Sequence, residues 1–107
     1  PFNGVTTTIE ALWKNVPVLT KAGFNFNSRC GESILKNASL EKFIASSNED
    51  YINKAVYYAN NIDELEKVRK NLFDNIEKSR IFDTKQFTND FCSAIDKMLS
   101  VVNNNHK

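Results

Sequence analysis

Much that would specify a function at a glance is missing from this 107-residue sequence. No apolar run approaches the ~18 residues of a membrane span, and the N-terminus lacks the layout of a secretory signal. Charge of one sign is lacking too: 14 basic residues against 13 acidic ones leave a net charge of +1. Without a clustered basic face, counterion displacement cannot drive broad nucleic-acid binding. The lysines alternate instead with acids, as in Glu64–Lys70, which is the pattern of a solvated helix face. Cysteine is sparse, with Cys30 and Cys92 far apart. Neither a CxxC spacing nor a cluster of His or acidic ligands surrounds them, so two buried, reduced thiols are expected, with no metal site. A cytoplasmic location follows as an expectation. The one histidine, His106, lies in the polar tail 103–107. That tail is expected to fray, which leaves His106 unsuited to serve as a held general base.

A chain of this length makes one domain, burying roughly 60–70% of its unfolded surface around a modest core. The hydrophobic pattern predicts a mostly helical chain with one short strand and about five or six helices. The first helix is expected over residues 7–14, with Ile9, Leu12 and Trp13 on its apolar side. Pro17–Thr20 reads as a short strand whose partners must lie elsewhere, since four residues form no sheet alone. Helices are expected over 28–36 with Ser28 as cap, briefly over 40–45, and from Ser47 to a break at Asn60-Asn61. Another follows over 62–78, and a last one from Thr84 carries Phe87, Phe91, Ile95, Met98 and Val102, with the Phe87/Phe91 pair read as core. Trp13 is read as core as well, and Tyr57 and Tyr58 as packing residues with hydroxyls in water.

What is present concentrates in the first twenty residues. Gly4 lies in a turn that feeds a helix opening on Thr6-Thr7-Thr8, and Glu10 follows one turn later. Free amides in a helix's first turn, with the dipole behind them, are suited to hold phosphate. Glu10 is then placed to accept hydrogen bonds from an adjacent sugar hydroxyl. The spacing Thr7-x-x-Glu10 also fits a capping box, which needs no ligand. The two readings are compatible, since a cap uses only some of the first-turn amides.

Asn3-Gly4-x-Thr6-Thr7-Thr8-x-Glu10-Ala11-Leu12-Trp13, followed by Asn15–Thr20, resembles the nucleotide-binding segment of the protein O-GlcNAc transferase family. That family is glycosyltransferase family 41, with plant SPINDLY-like and bacterial relatives. The resemblance continues through Gly23 and Ser28-Arg29-Cys30-Gly31-Glu32-Ser33, and returns at Ser79–Phe87. It implies an α/β fold: the C-terminal part of the second Rossmann-like domain of a GT-B glycosyltransferase, with the strand's partners upstream. Residues 1–45 would end the nucleotide-sugar-binding half, 46–102 would form a C-terminal helical cap, and 103–107 a disordered tail. The resemblance also implies that Thr6 and Thr7 contact the donor's diphosphate and that Glu10 binds its ribose. Gly4 would allow close backbone approach, Asn3 would shape the turn, and Arg29 would orient the site unless it pairs with Glu32. Val5 departs from the animal members, which carry a histidine there.

Glycosyl transfer requires stabilisation of a leaving diphosphate and a proton path for the acceptor hydroxyl. The family's catalytic groups all lie upstream of the matched region, so no catalytic residue is expected in this chain, nor any cofactor beyond the UDP-sugar donor. The first expectation is therefore the C-terminal fragment of a UDP-sugar-dependent protein O-glycosyltransferase, inactive alone. Its partners would be the nucleotide sugar, the upstream half of the enzyme and a protein acceptor, with no nucleic acid or membrane. The alternative is a non-catalytic helical module that dimerises through the Pro17–Thr20 edge or a bared apolar face.

Overall fold

A computed structural model describes residues 2–106; Pro1 and Lys107, the outer limits of the expected N-terminal half and tail, lie outside the described residues. Among these residues there are five helices: α1 (Thr6–Trp13), α2 (Cys30–Asn37), α3 (Asn48–Asn60), α4 (Ile62–Ile76) and α5 (Thr84–Asn105). Two strands, β1 (Thr20–Lys21) and β2 (Ile44–Ala45), complete the fold. None of the described helices is long and apolar enough to cross a membrane.

Sequence chemistry sets the helix ends. At the C-terminus of α1, Asn15 adopts φ 57°, and the amides of Asn15 and Val16 return to the carbonyls of Leu12 and Ala11, both at 2.9 Å. This is a Schellman stop, with Asn tolerating the left-handed conformation that most side chains resist. Ser39, at φ 58°, ends α2 in the same way. The helix expected from Ser28 begins instead at Cys30. Ser28 closes a 3-10 turn over Phe26–Ser28, exchanging hydrogen bonds with Asn25 in a reciprocal box. Ser47 caps α3 as expected, its hydroxyl accepting from Asp50 N at 3.0 Å. The break at Asn61 separates α3 from α4, and the Asp83 carboxylate caps α5 by accepting from Gln86 N.

The strand, expected over Pro17–Thr20, is Thr20–Lys21, and one partner lies inside the chain, downstream of it. β1 pairs in parallel with β2, with Thr20 opposite Ile44 and Lys21 opposite Ala45. The segment 40–45, expected to be helical, is a 3-10 turn over Glu41–Phe43 followed by that strand. A parallel pair needs a crossover, and α2 supplies it. It crosses close beneath β1 at Gly31, where an added β-carbon would collide with the Thr20 hydroxyl and lie 3.1 Å from Thr20 Cβ.

The core draws on both halves of the sequence. Leu12, Leu35 and Leu72 are fully buried, joined by Ala38, Leu40, Phe43 and Ile76. Burying each large aliphatic side chain is worth about 1.5–3 kcal/mol. Tyr58 stacks on Phe43 with ring centroids 4.5 Å apart, and the Tyr57 hydroxyl, expected in water, donates to Glu64. That carboxylate raises the phenol's pKa, by hydrogen bonding first and by charge second.

α5 stands apart and corrects the core assignment. None of its residues is buried; Phe87, Phe91, Ile95, Met98, Leu99, Val101 and Val102 are all exposed. Their helical periodicity describes a stripe that this chain does not cover. Asn103–Asn105, expected to fray, continue the helix. Cys92 on the same helix is exposed rather than buried, and Cys30 is partly exposed; both are free thiols. Trp13 is 51% exposed rather than core, resting against Phe82 with centroids 4.8 Å apart.

Candidate nucleotide-binding site

The loop of residues 3–5 is tied down before α1 begins. Asn3 N donates to the Asn27 carbonyl at 3.1 Å, and the Asn3 side-chain carbonyl accepts from Gly31 N at 3.2 Å. Asn3 thus shapes the turn, as expected, by joining it to the start of α2.

Thr7 and Glu10 form no capping box. α1 begins one residue earlier, with Val5 at the N-cap, and valine supplies no side-chain cap. The cause lies in Thr8: buried, it donates its hydroxyl back to the Gly4 carbonyl at 2.8 Å. Thr6 and Thr7 are thereby drawn into the first helical turn. Ile9 N is the first amide to reach a helical carbonyl, that of Val5, so the amides of Thr6, Thr7 and Thr8 are the orphan donors of this helix end. No acid lies in the first turn to compete with an anion.

Thr6, Thr7 and Glu10 are exposed. At spacings of four and three positions they share one helix face. Gly4 lets the loop pass close to the threonines: a β-carbon there would sit 2.7 Å from Thr7 Oγ1 and 3.1 Å from Thr8 Oγ1. Clefts of about 470 Å³ flank this loop on two sides. One is lined by Asn3, Lys21, Gly23 and Phe24, the other by Val5, Phe26, Arg29 and Ile34. Phe24 and Phe26, 93% and 84% exposed, form their outer walls. The sequence pattern marks neither phenylalanine, since two apolar residues in a turn carry no periodicity.

Arg29 is committed to Glu32. Its Nε lies 2.9 Å from Oε2 and its Nη2 3.3 Å from Oε1, and Lys36 Nζ reaches the same Oε1 at 2.7 Å. Hydrogen bonds from Arg29, then Lys36, hold the Glu32 carboxyl below the usual carboxylate range. His106 caps the far end of α5 and is exposed.

The family model for "Glycosyl transferase family 41" matches residues 1–91. The probable UDP-N-acetylglucosamine–peptide N-acetylglucosaminyltransferase SPINDLY of Hordeum vulgare is 34% identical over 98 residues, 92% of this chain and 10% of its own length. The UDP-N-acetylglucosamine–peptide N-acetylglucosaminyltransferase of Caenorhabditis elegans is 27% identical over 96 residues, 90% of this chain and 8% of its own. A solved structure of a mutant O-GlcNAc transferase from Thermobaculum terrenum superposes with a TM-score of 0.85 at 31% identity. It covers 92% of this chain and 19% of that one. The chain thus spans about a tenth of the length of the Hordeum vulgare and Caenorhabditis elegans relatives. Its predominantly helical α/β fold is that of a segment of a GT-B O-GlcNAc transferase.

Proposed function

The chain belongs to glycosyl transferase family 41, and we propose that it is the C-terminal segment of a UDP-sugar-dependent protein O-glycosyltransferase, contributing the diphosphate and ribose half of the donor site. The observation that carries this reading is the start of α1. The amides of Thr6 and Thr7 have no backbone acceptor there and both residues are exposed, with no side-chain cap and no acid in the first turn.

When the bond between the sugar's anomeric carbon and the β-phosphate oxygen breaks, negative charge grows on the departing diphosphate. Amides and hydroxyls already aimed at those oxygens stabilise that charge without reorganising. Glu10, one turn along the same face, accepts from the ribose hydroxyls and sets the nucleotide's orientation. The proton taken from the acceptor hydroxyl goes to a group outside this chain. The Caenorhabditis elegans relative is a UDP-N-acetylglucosamine–peptide N-acetylglucosaminyltransferase, which favours a protein acceptor; with the O-linkage proposed here, that acceptor is a Ser or Thr hydroxyl.

Donor affinity, measured by calorimetry on the full-length enzyme, tests this. Thr7→Ala should weaken UDP binding about tenfold, the loss of one hydrogen bond to a charged oxygen. Glu10→Gln should cost less, because an amide oxygen still accepts. The 107-residue chain alone should bind UDP only at about millimolar Kd, with half the contacts gone and the rigid-body cost of association unchanged. Unchanged UDP affinity with a lowered melting temperature would assign these residues to helix structure alone.

The bare stripe on α5 favours a second reading for the isolated chain, a helical module that self-associates. The seven exposed apolar residues of α5, from Phe87 to Val102, make it a larger surface for this than the open edge of the two-residue β1. Sedimentation at rising concentration should show dimer that Phe91→Asp abolishes; a clean monomer throughout overturns this reading.

A further inference from the structure

Two contacts from distant parts of the chain converge on the C-terminal end of α1. Arg69, on α4, donates from Nε to the Asn15 carbonyl at 2.9 Å. Phe82, in the turn before α5, rests its ring on Trp13. Asn15 is the left-handed residue of the Schellman stop, so its carbonyl lies at the negative end of the helix dipole, where a guanidinium is favoured.

The helix they grip is short, eight residues or about 12 Å. The interior holds it through only two buried side chains, Leu12 and Thr8. A rod that short transmits a displacement at one end to the other without bending. The first turn, held at its own end by Asn3 and by buried Thr8, is therefore also placed by what grips the last.

We propose that Arg69 and Phe82 are positioning residues for the donor-binding helix. They hold the C-terminal end of α1 and thereby aim the amides and hydroxyls of Thr6 and Thr7 at the diphosphate. This inference rests on the donor-site reading of α1. Loss of either grip moves molecules into a population whose displaced first turn binds UDP without the Thr7 contact, and apparent affinity falls as that population grows.

The test is UDP affinity of the full-length enzyme, by calorimetry, for Arg69→Met, Phe82→Leu, Thr7→Ala and Thr7→Ala/Arg69→Met, with melting temperatures in parallel. Arg69→Met should weaken UDP binding roughly three- to fivefold, and Phe82→Leu should weaken it to a lesser extent. Arg69→Lys should recover part of the loss, since it restores charge but not the fixed fork. Lys70→Met, which breaks only a surface pair with Glu66 at 3.3 Å, should leave affinity unchanged. The double variant should lose less than the product of the single losses, because a mispositioned first turn has less of the Thr7 contact left to lose. If Thr7→Ala weakens binding while Arg69→Met only lowers the melting temperature, positioning is refuted and the donor site stands. If Thr7→Ala leaves binding intact, the donor-site reading falls and this inference with it.

Discussion

Replacing Gly31 by alanine should destabilise the fold even though alanine is the better helix former. The new β-carbon would collide with the Thr20 hydroxyl, lie 3.1 Å from Thr20 Cβ and 3.3 Å from the Asn3 side-chain oxygen. Thr20 is buried, β-branched and confined by its pairing opposite Ile44, so it has little freedom to rotate away. α2 must back off from β1, and overpacking of this kind costs about 1–3 kcal/mol. Against it stands a helix-propensity gain of at most about 1 kcal/mol, smaller in a first turn than in an interior. The net expectation is a loss of about 1–2 kcal/mol, which lowers the melting temperature by roughly 4–8 °C per kcal/mol in a domain of this size. Circular dichroism of the 107-residue chain under heat and urea measures it. Thr20→Ala in the same background removes the obstructing hydroxyl and should restore at least half of the loss. A Gly31→Ala variant that melts at or above wild type would refute the close crossing, as would a double variant no better than the single.

Two further substitutions probe other points. Asn15→Gly should raise stability by about 0.5–1 kcal/mol, read as a higher urea midpoint: glycine suits φ 57°, and the buried Asn15 side-chain oxygen, which finds no partner, disappears. Glu32→Gln should lower the melting temperature at neutral pH by removing the partner shared by Arg29 and Lys36. It should also flatten the acid response. The folded Glu32 pKa is depressed, so in acid the unfolded chain binds more protons at this group. Its contribution is therefore full above the unfolded value of about 4.3 and is lost as pH falls through the folded one. Melting curves between pH 3 and pH 7, on the order of one per pH unit, separate a shallower variant slope from an unchanged one.

Local chemistry was readable where a single residue type decides the backbone. Ser47 announced α3, the paired asparagines at 60–61 announced its end, and the 3- and 4-residue spacing of Leu65, Val68, Leu72 and Ile76 announced α4. β2 was not legible, because two residues of strand have no period and Ile44-Ala45 follows a turn that itself resembles helix. The start of α1 was misplaced because the Thr7-x-x-Glu10 spacing satisfies a capping rule that Thr8 pre-empts by bonding back to Gly4. α5 shows a deeper limit: periodicity reveals that a helix has an apolar side and is silent about what covers it. In the candidate site, residue types mark Thr6, Thr7 and Glu10, and the three-residue spacing of Arg29 and Glu32 allows their pair. The apolar walls at Phe24 and Phe26 came from tertiary placement alone.

The division between a core that closes at Ile76 and a helix that adds nothing to it also orders events during synthesis. A chain made from its N-terminus has every residue of that core before the first residue of α5 appears. Translation at about 5–20 residues per second then needs roughly one to four seconds to deliver the 22 residues of α5. In that interval the earlier part can fold, and α5 emerges beside a finished surface with nowhere on it to lay its stripe. Covering the stripe is thus an assembly event, second order when another molecule supplies the cover and a slow intramolecular docking when the same polypeptide does. In both cases its rate is set apart from that of the core, and the apolar face of α5 is the part of this chain open longest to capture by chaperones.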